Sequence, residues 1–160
     1  MEELELRKAV GIILARYDGK VWTGKRKTGI GVRPNEQNLW QMPQGGIDEN
    51  EKPEDAVYRE LKEETGTASA KILTSLDEWL EYYLPTELIG KALGGKFKGQ
   101  KQKWFLMRHL GSDDEININT SKPEFFEWKW IELNSITKIV VNFKLNVYKI
   151  LQKKLEKIIN

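Results

Sequence analysis

The chain has 160 residues, of which 39% are hydrophobic and 31% charged, and its formal net charge is +2 at pH 7. This length and composition are typical of one soluble globular domain, residues 1–160, that is long enough to bury a core. No apolar run approaches the roughly 20 residues of a transmembrane helix, and the small net charge gives no argument for nucleic-acid binding by itself. The absence of cysteine excludes disulfides and thiolate metal sites, and Met1–Glu3 lacks the basic start of a signal peptide, so we expect a cytoplasmic protein.

The first forty residues are predicted to form two strands and a loop. Val10–Ala15 is an apolar run typical of a buried strand, and Asp18–Gly19 predicts a hairpin turn into a second strand at Lys20–Thr23. Residues 28–38 are rich in glycine, asparagine and proline, which favours a loop. The basic residues Lys25–Lys27 before it allow two interpretations, a solvated loop or a phosphate-binding group.

A helix is predicted to begin at Pro53 and to end at Gly66. Proline suits the first helical position, because a missing N–H costs nothing there, and glycine suits the left-handed residue that closes the last turn. An apolar stripe along this segment predicts that one face packs on a sheet; it consists of Ala56, Val57 and Leu61.

Three glutamates share one face of this helix. Glu60, Glu63 and Glu64 are related by i+3 and i+4 spacing, so like charges lie side by side and repel by roughly 0.2–0.5 kcal/mol per pair. Glu51, just before the helix, is a candidate for a fourth carboxylate. A hard divalent cation such as Mg²⁺ would reverse the sign of this cost, because it prefers oxygen ligands and substrate phosphates. The alternative is a solvated acidic face.

The rest of the chain is predicted to return to strands and to close with a helix. In order, we expect one or two strands in Lys71–Leu84, a loop at Pro85–Gly99, a central strand at Gln100–Met107, a strand at Glu124–Ile131, and helix through the last thirty residues. The helix follows from an apolar period near 3.6 residues in Phe143, Val147, Ile150, Leu151, Leu155 and Ile158. This order predicts an α+β protein, an α/β/α sandwich around a mixed sheet.

Aromatic residues and the one histidine are assigned to packing rather than to chemistry. Trp79, Tyr82 and Tyr83 are expected to pack within the sheet. His109, the only histidine, is expected at a strand end on the surface rather than as a metal ligand.

The acidic helix belongs to a longer pattern that resembles the Nudix box. Gly45, five residues, Glu51, seven residues and then Arg59–Gly66 match that box at every position but the last, where Thr67 replaces an aliphatic residue; we expect this to weaken packing rather than metal binding. The resemblance implies the Nudix fold. Over about residues 7–155 the chain is also similar to the bacterial RNA pyrophosphohydrolases, through Trp40–Ile47, Gly99–Leu106, Pro123–Phe125, Trp128–Trp130, Val140–Lys144 and Val147–Tyr148. Departures are the longer loop at residues 28–38 and Leu6 before Arg7.

This resemblance implies a role for each matching residue. Divalent metal, Mg²⁺ with Mn²⁺ or Zn²⁺ as alternatives, would be bound by Glu60, Glu63, Glu64, Glu124 and the carbonyl of Gly45, with Arg59 orienting the carboxylates. Arg7, Arg26 and Lys103 would contact phosphates, and Val141 and Phe143 would sandwich a base beside Lys144. From the sequence alone, Phe143 also fits the core of the last helix, and Glu124 also fits a surface carboxylate. Either Glu64 or Glu124 would accept the proton.

The activity implied is metal-assisted hydrolysis that removes pyrophosphate from the 5′-triphosphate end of RNA. The 5′-monophosphate end left behind is preferred by degradative nucleases, so the reaction would promote mRNA decay. Two alternatives stay open. One is hydrolysis of dinucleoside polyphosphates such as diadenosine tetraphosphate; the other is a non-catalytic RNA-binding module on an inactive scaffold.

Overall fold

The structure, a computed structural model, describes residues 3–26 and 39–159. These residues form one mixed sheet whose strands are β1 (Glu5–Ala15), β2 (Val21–Arg26), β3 (Trp40–Gln41), β4 (Gln44–Gly46), β5 (Ala70–Ser75), β6 (Leu80–Tyr83), β7 (Phe97–His109) and β8 (Phe125–Ile131). The helices are α1 (Pro53–Thr65), α2 (Ile136–Ile139) and α3 (Leu145–Ile159). Lys27 and the loop predicted at 28–38 lie outside the described residues. No helix in the described part of the chain is long and apolar enough to cross a bilayer.

Strands β1 and β7 form the centre of the sheet. They run parallel, with Arg7 opposite Gln100 and Ala15 opposite Arg108. Strand β1 also pairs antiparallel with β2 and β4, while β7 pairs antiparallel with β5 and β6. Strand β8 continues the sheet beyond β2. The central strand predicted at Gln100–Met107 is therefore confirmed, although it begins earlier, at Phe97.

Residues of alternate parity along the central strands fill two cores, one on each face of the sheet. The core under α1 contains Val10, Ile12, Leu14, Phe105 and Met107, together with the apolar stripe of that helix. The core under α3 contains Ile13, Trp104, Leu106, Tyr148 and Leu151. This arrangement confirms the predicted α/β/α sandwich.

The last thirty residues differ from the single helix that we predicted. They comprise 3₁₀ turns at Leu133–Ser135 and Asn142–Lys144, the one-turn helix α2 and then α3. Val140 and Val141 have extended backbone, with ψ of 151° and 144°, a conformation that β-branched residues favour. Because the helix restarts only at Leu145, Phe143 lies before it rather than within its apolar stripe.

Two packing predictions were wrong. Tyr83 is 54% exposed, because alternate residues of the edge strand β6 face solvent and only Tyr82 and Leu80 face the core. His109 lies at a strand end as predicted but is only 6% exposed, because the segment after α1 and the side chain of Trp130 pack over it.

Candidate active site

Local sequence signals fix the position of helix α1. Pro53 occupies its first turn, and Gly66 ends it with φ of 81° and an N–H that donates to the Lys62 carbonyl. A Cβ atom on residue 66 would lie 2.5 Å from the Asn117 carbonyl oxygen, so the site requires glycine for both its φ and its space. With its apolar stripe fully buried, the helix presents a fixed acidic face.

That acidic face lines a cavity of about 600 Å³. Glu60 and Glu64 are 8% and 5% exposed, while Glu63 is more open to solvent. Burial raises the pKa of Glu60, and it raises the pKa of Glu64 well above the usual value, with the charges of Glu60 and Glu124 adding to that rise. The face therefore holds carboxylates whose charge is costly without a cation.

Gly45 brings the backbone of β4 directly against this face. A Cβ atom there would lie 2.0 Å from the carboxyl carbon of Glu60, so a side chain at this position would displace that carboxylate. The neighbouring Gln44 N–H donates to Glu64 Oε1 at 3.1 Å. The other oxygen, Glu64 Oε2, is buried and has no hydrogen-bond partner among the described residues.

Arg59 ties the acidic residues together. Its guanidinium lies 2.8 Å from Glu60 and 3.2 Å from Glu63, and it donates to the Gly46 carbonyl at 2.8 Å. It also holds Glu51 through two hydrogen bonds of 2.8 Å. These bonds, together with one from the Asp48 N–H, lower the pKa of Glu51 to about 2. Glu51 is thus a partner of Arg59 and does not line the cavity as a fourth carboxylate.

The cavity brings most of the other predicted site residues beside the glutamates. Arg7, Arg26, Glu124, Phe143 and Lys144 all line it. Glu124 lies immediately before β8 and is exposed. These residues come from separate segments, so a substrate in the cavity can contact carboxylates, cations and an aromatic ring at once.

Lys144 is the most deeply buried of these cations. Its Nζ donates to Gln41 Oε1 at 2.9 Å and lies 5.2 Å from the centre of the Tyr82 ring. Burial lowers its pKa to about 7, and the nearby charge of Arg26 contributes in the same direction. Phe143 is partly buried with its ring 5.7 Å from that of Tyr82, so it contacts both the core and the cavity.

The structure does not bring two predicted residues to the cavity. Lys103 Nζ donates instead to the Leu76 carbonyl at 2.5 Å. Val141 packs against the core under α3, and its carbonyl accepts the Lys144 N–H at 3.0 Å. Neither residue lines the wall that the glutamates share.

Several lining residues were not predicted. The polar and aromatic ones among them are Gln41, Gln44, Tyr82, Gln100, Ser121 and Lys122. One signal was available in the sequence. Gln100 and Gln102 alternate along a predicted strand, and residues two apart on a strand face the same side.

The acidic face fits a hard divalent cation, although its side chains are not preassembled as a cage. Within residues 3–26 and 39–159, no three acidic or histidine side chains converge on one point. Glu60 and Glu63 are both paired with Arg59. The buried and unpartnered Glu64 Oε2 is the oxygen donor that such a cation needs. The backbone of Gly45 packs against Glu60 on the same helix face.

Comparison with known proteins gives matches along nearly the whole chain. The model of the NUDIX domain family matches residues 5–151. A protein named RNA pyrophosphohydrolase from Pelagibacter ubique (strain HTCC1062) is 48% identical, over 98% of this chain and 96% of its own length. A protein of the same name from Bartonella clarridgeiae is 46% identical, over 91% of this chain and 87% of its own length.

Solved structures with low sequence identity share the fold. The E. coli dihydroneopterin triphosphate pyrophosphohydrolase has a TM-score of 0.66 at 16% identity, covering 95% of this chain and 99% of its own. A C. elegans Ap4A hydrolase in a binary complex has a TM-score of 0.61 at 19% identity, covering 93% and 98%. At such identities the likeness concerns the fold alone.

Proposed function

The chain belongs to the NUDIX domain family and is a Nudix hydrolase, and from this premise we propose that it removes pyrophosphate from the 5′-triphosphate end of RNA. The product is an RNA with a 5′-monophosphate, which promotes mRNA decay. The relatives that carry the name RNA pyrophosphohydrolase over almost their whole length support this substrate. A cytoplasmic location is part of the same proposal.

One structural observation carries the proposal: a single cavity joins the acidic face of α1 to a cationic and aromatic wall. A 5′-triphosphate end presents anionic phosphates next to a base. Arg7, Arg26 and Lys144 supply positive charge for the phosphates, while the Phe143 ring offers a stacking surface for a base, worth roughly 1–3 kcal/mol regardless of its identity.

The glutamates of α1 have the donor chemistry for Mg²⁺. Glu60, Glu63, Glu64, Glu124 and the Gly45 carbonyl would hold it, and when bound it would neutralise phosphate oxygens and lower the pKa of a bound water. Arg59 holds Glu60 and Glu63 in one orientation, which is a positioning role. Of the four glutamates that line the cavity, either Glu64 or Glu124 would accept the proton from an attacking water.

Replacement of Phe143 tests whether the cavity serves RNA. Phe143→Ala should raise KM for a triphosphorylated RNA by roughly 5- to 150-fold, the equivalent of one lost base stack. Steady-state kinetics on that RNA and on diadenosine tetraphosphate, run in parallel, make the measurement, and circular dichroism establishes that the variant is folded.

The two substrates separate the competing functions. We expect wild-type protein to have a higher kcat/KM for the RNA than for the dinucleotide. A preference for diadenosine tetraphosphate would replace the proposal by dinucleotide hydrolysis. Hydrolysis of neither substrate with Mg²⁺ present would indicate a non-catalytic module.

A further inference from the structure

The segment Gly99–Leu106 carries a row of buried side chains that the hydrolytic reaction leaves unexplained. Gln100, Gln102 and Trp104 alternate along β7 and are at most 1% exposed. They lie on the face of the strand toward the cavity and the core under α3. Two glutamines are costly to bury, so their amide groups need partners.

Hydrogen bonds link these three residues to Gln44. Trp104 Nε1 donates to Gln102 Oε1 at 3.0 Å. Gln102 Nε2 donates to Gln100 Oε1 and to Gln44 Oε1, both at 2.9 Å. We call this chain of four side chains the amide relay.

The orientation of every amide in the relay follows from the indole. An indole N–H can only donate, so the atom of Gln102 that faces it must be the carbonyl oxygen. The Gln102 NH₂ group must then face Gln44 and Gln100, and each of these must present its own oxygen to it. The opposite orientation of Gln102 would set two donors against each other. The indole N–H therefore determines which atom of each glutamine amide is oxygen and which is nitrogen.

The consequence appears at the cavity, which both Gln44 and Gln100 line. Because their oxygens accept from Gln102, the remaining polar ends of the relay are N–H groups. Gln44 also adjoins the acidic face, since its backbone N–H donates to Glu64.

We propose that Trp104 and Gln102 are positioning residues that hold the N–H groups of Gln44 and Gln100 as hydrogen-bond donors for the polyphosphate of the substrate. Phosphate oxygens only accept hydrogen bonds, so a turned amide would oppose oxygen to oxygen. The inference rests on the proposed function for its substrate class, an anionic polyphosphate, and does not depend on which nucleoside carries it.

A pair of matched tryptophan variants tests the relay. Trp104→Phe removes the indole donor and frees Gln102 to turn. Trp22→Phe is the control, because Trp22 is equally buried in the opposite core and its Nε1 has no partner among the described residues. Both variants lose similar packing, so both should melt at a lower temperature.

Binding and kinetics then distinguish the two variants. We expect Trp104→Phe to raise two quantities by roughly 3- to 10-fold each, which corresponds to the loss of about one hydrogen bond. The first is the Kd for inorganic tripolyphosphate, measured by calorimetry without metal, and the second is the KM for triphosphorylated RNA. The kcat of Trp104→Phe should change less than about twofold, and Trp22→Phe should leave Kd and KM within about twofold of wild type. Equal Kd and KM in the two variants, or no binding of tripolyphosphate by wild-type protein, would overturn the inference.

Other outcomes distinguish a failure of the amide relay from a failure of the proposed RNA function. If Trp104→Phe does not fold, Gln102→Met removes the NH₂ group that donates to Gln44 and Gln100 and carries the same expectation for Kd and KM. Tripolyphosphate binding that weakens only in the Trp104 variant, with no RNA cleavage by wild type, supports the relay and contradicts the RNA function. RNA cleavage with equal KM in both tryptophan variants contradicts the relay alone.

Discussion

Two buried side chains of opposite charge, Glu64 and Lys144, line the same cavity. Burial raises the pKa of Glu64 and lowers the pKa of Lys144 to about 7, so each neutral form gains at the expense of the charged one. Each shift also reflects a cost to folding, since the charged forms are poorly solvated. Such perturbed groups concentrate where chemistry needs them, which fits their position beside the acidic face of α1.

Thr67, the one departure from the Nudix box, has polar partners that an aliphatic residue could not use. Its hydroxyl oxygen accepts the Ser69 N–H at 3.1 Å and lies 3.4 Å from His109 Nε2. Thr67 is 1% exposed. The hydroxyl is therefore satisfied in the interior, and the buried histidine is its neighbour.

The buried imidazole of His109 predicts a pH dependence of stability. Burial lowers its pKa below the usual 6.5, opposed in part by Glu115 and Asp113. The unfolded chain therefore binds this proton more readily, so the stability due to neutral His109 is complete above about pH 6.5 and is lost as pH falls through the folded pKa. The unfolding free energy of wild type should fall relative to that of His109→Gln between about pH 7 and 5.

Urea unfolding at several pH values measures this difference. Subtracting the variant removes the contributions of Glu60, Glu64 and Lys144, which are common to both proteins. The carboxylates of Asp18 and Glu51 have folded pKa values of about 2 and act at lower pH. Parallel curves for the two proteins over this range would show that His109 titrates as it does in the unfolded chain.

At the scale of elements, the boundaries of α1 were predictable because Pro53 and Gly66 begin and end a helix through their own backbone preferences, without tertiary contacts. The strands Val10–Ala15 and Gln100–Met107 were predictable from apolar content. The short strand β4 was not, because its three residues pair with β1 more than thirty positions earlier in the chain. The break before α3 lies at the extended residues Val140 and Val141, which precede the apolar period that predicted the helix.

Among site residues, helical spacing placed the three glutamates on one face and the resemblance to the Nudix box made them metal ligands, whereas the partners of Arg59 did not follow from either. Arg59 reaches back to Glu51 and to the Gly46 carbonyl, which requires the turn before the helix to fold. The structure, not the sequence, excludes Lys103, because only the structure shows that Gln100 faces the cavity. Lys103 has the opposite parity to Gln100 and Gln102 on one strand, so it cannot share their wall.

The end of α1 predicts a stability difference between two glycines. Gly66 and Gly90 both have left-handed backbone, with φ of 81° and 87°. A Cβ atom at residue 66 would clash with Asn117, whereas a Cβ atom at residue 90 would meet no other atom within 4 Å. Gly90→Ala should lower the unfolding free energy by about 1 kcal/mol from backbone strain, and Gly66→Ala should lower it by clearly more. Urea denaturation compares them; equal losses would mean that strain alone requires glycine at 66.

At the scale of the whole molecule, the sheet gathers distant segments at one cavity. The parallel pairing of β1 with β7 sets Arg7 beside Gln100, and β4 lays Gly45 along β1 within reach of Glu60. The segment before α3 adds Phe143 and Lys144, with Lys144 bonded to Gln41 across 103 positions of sequence. A cavity assembled in this way brings carboxylates, cations and an aromatic ring from distant segments to one wall.

We propose that the acidic face of α1 catalyses removal of pyrophosphate from RNA 5′ ends. The most direct test identifies the products of a 5′-triphosphorylated RNA incubated in Mg²⁺ with wild type, Glu64→Gln and Glu54→Gln. Glu54 is an exposed glutamate in the first turn of the same helix and does not line the cavity, so its variant controls for the loss of one charge. We predict pyrophosphate and 5′-monophosphate RNA from wild type and Glu54→Gln at similar rates, and a kcat lower by roughly 100-fold or more in Glu64→Gln. A Glu64→Gln protein as active as wild type, or a wild-type protein that yields no 5′-monophosphate RNA, would contradict the claim.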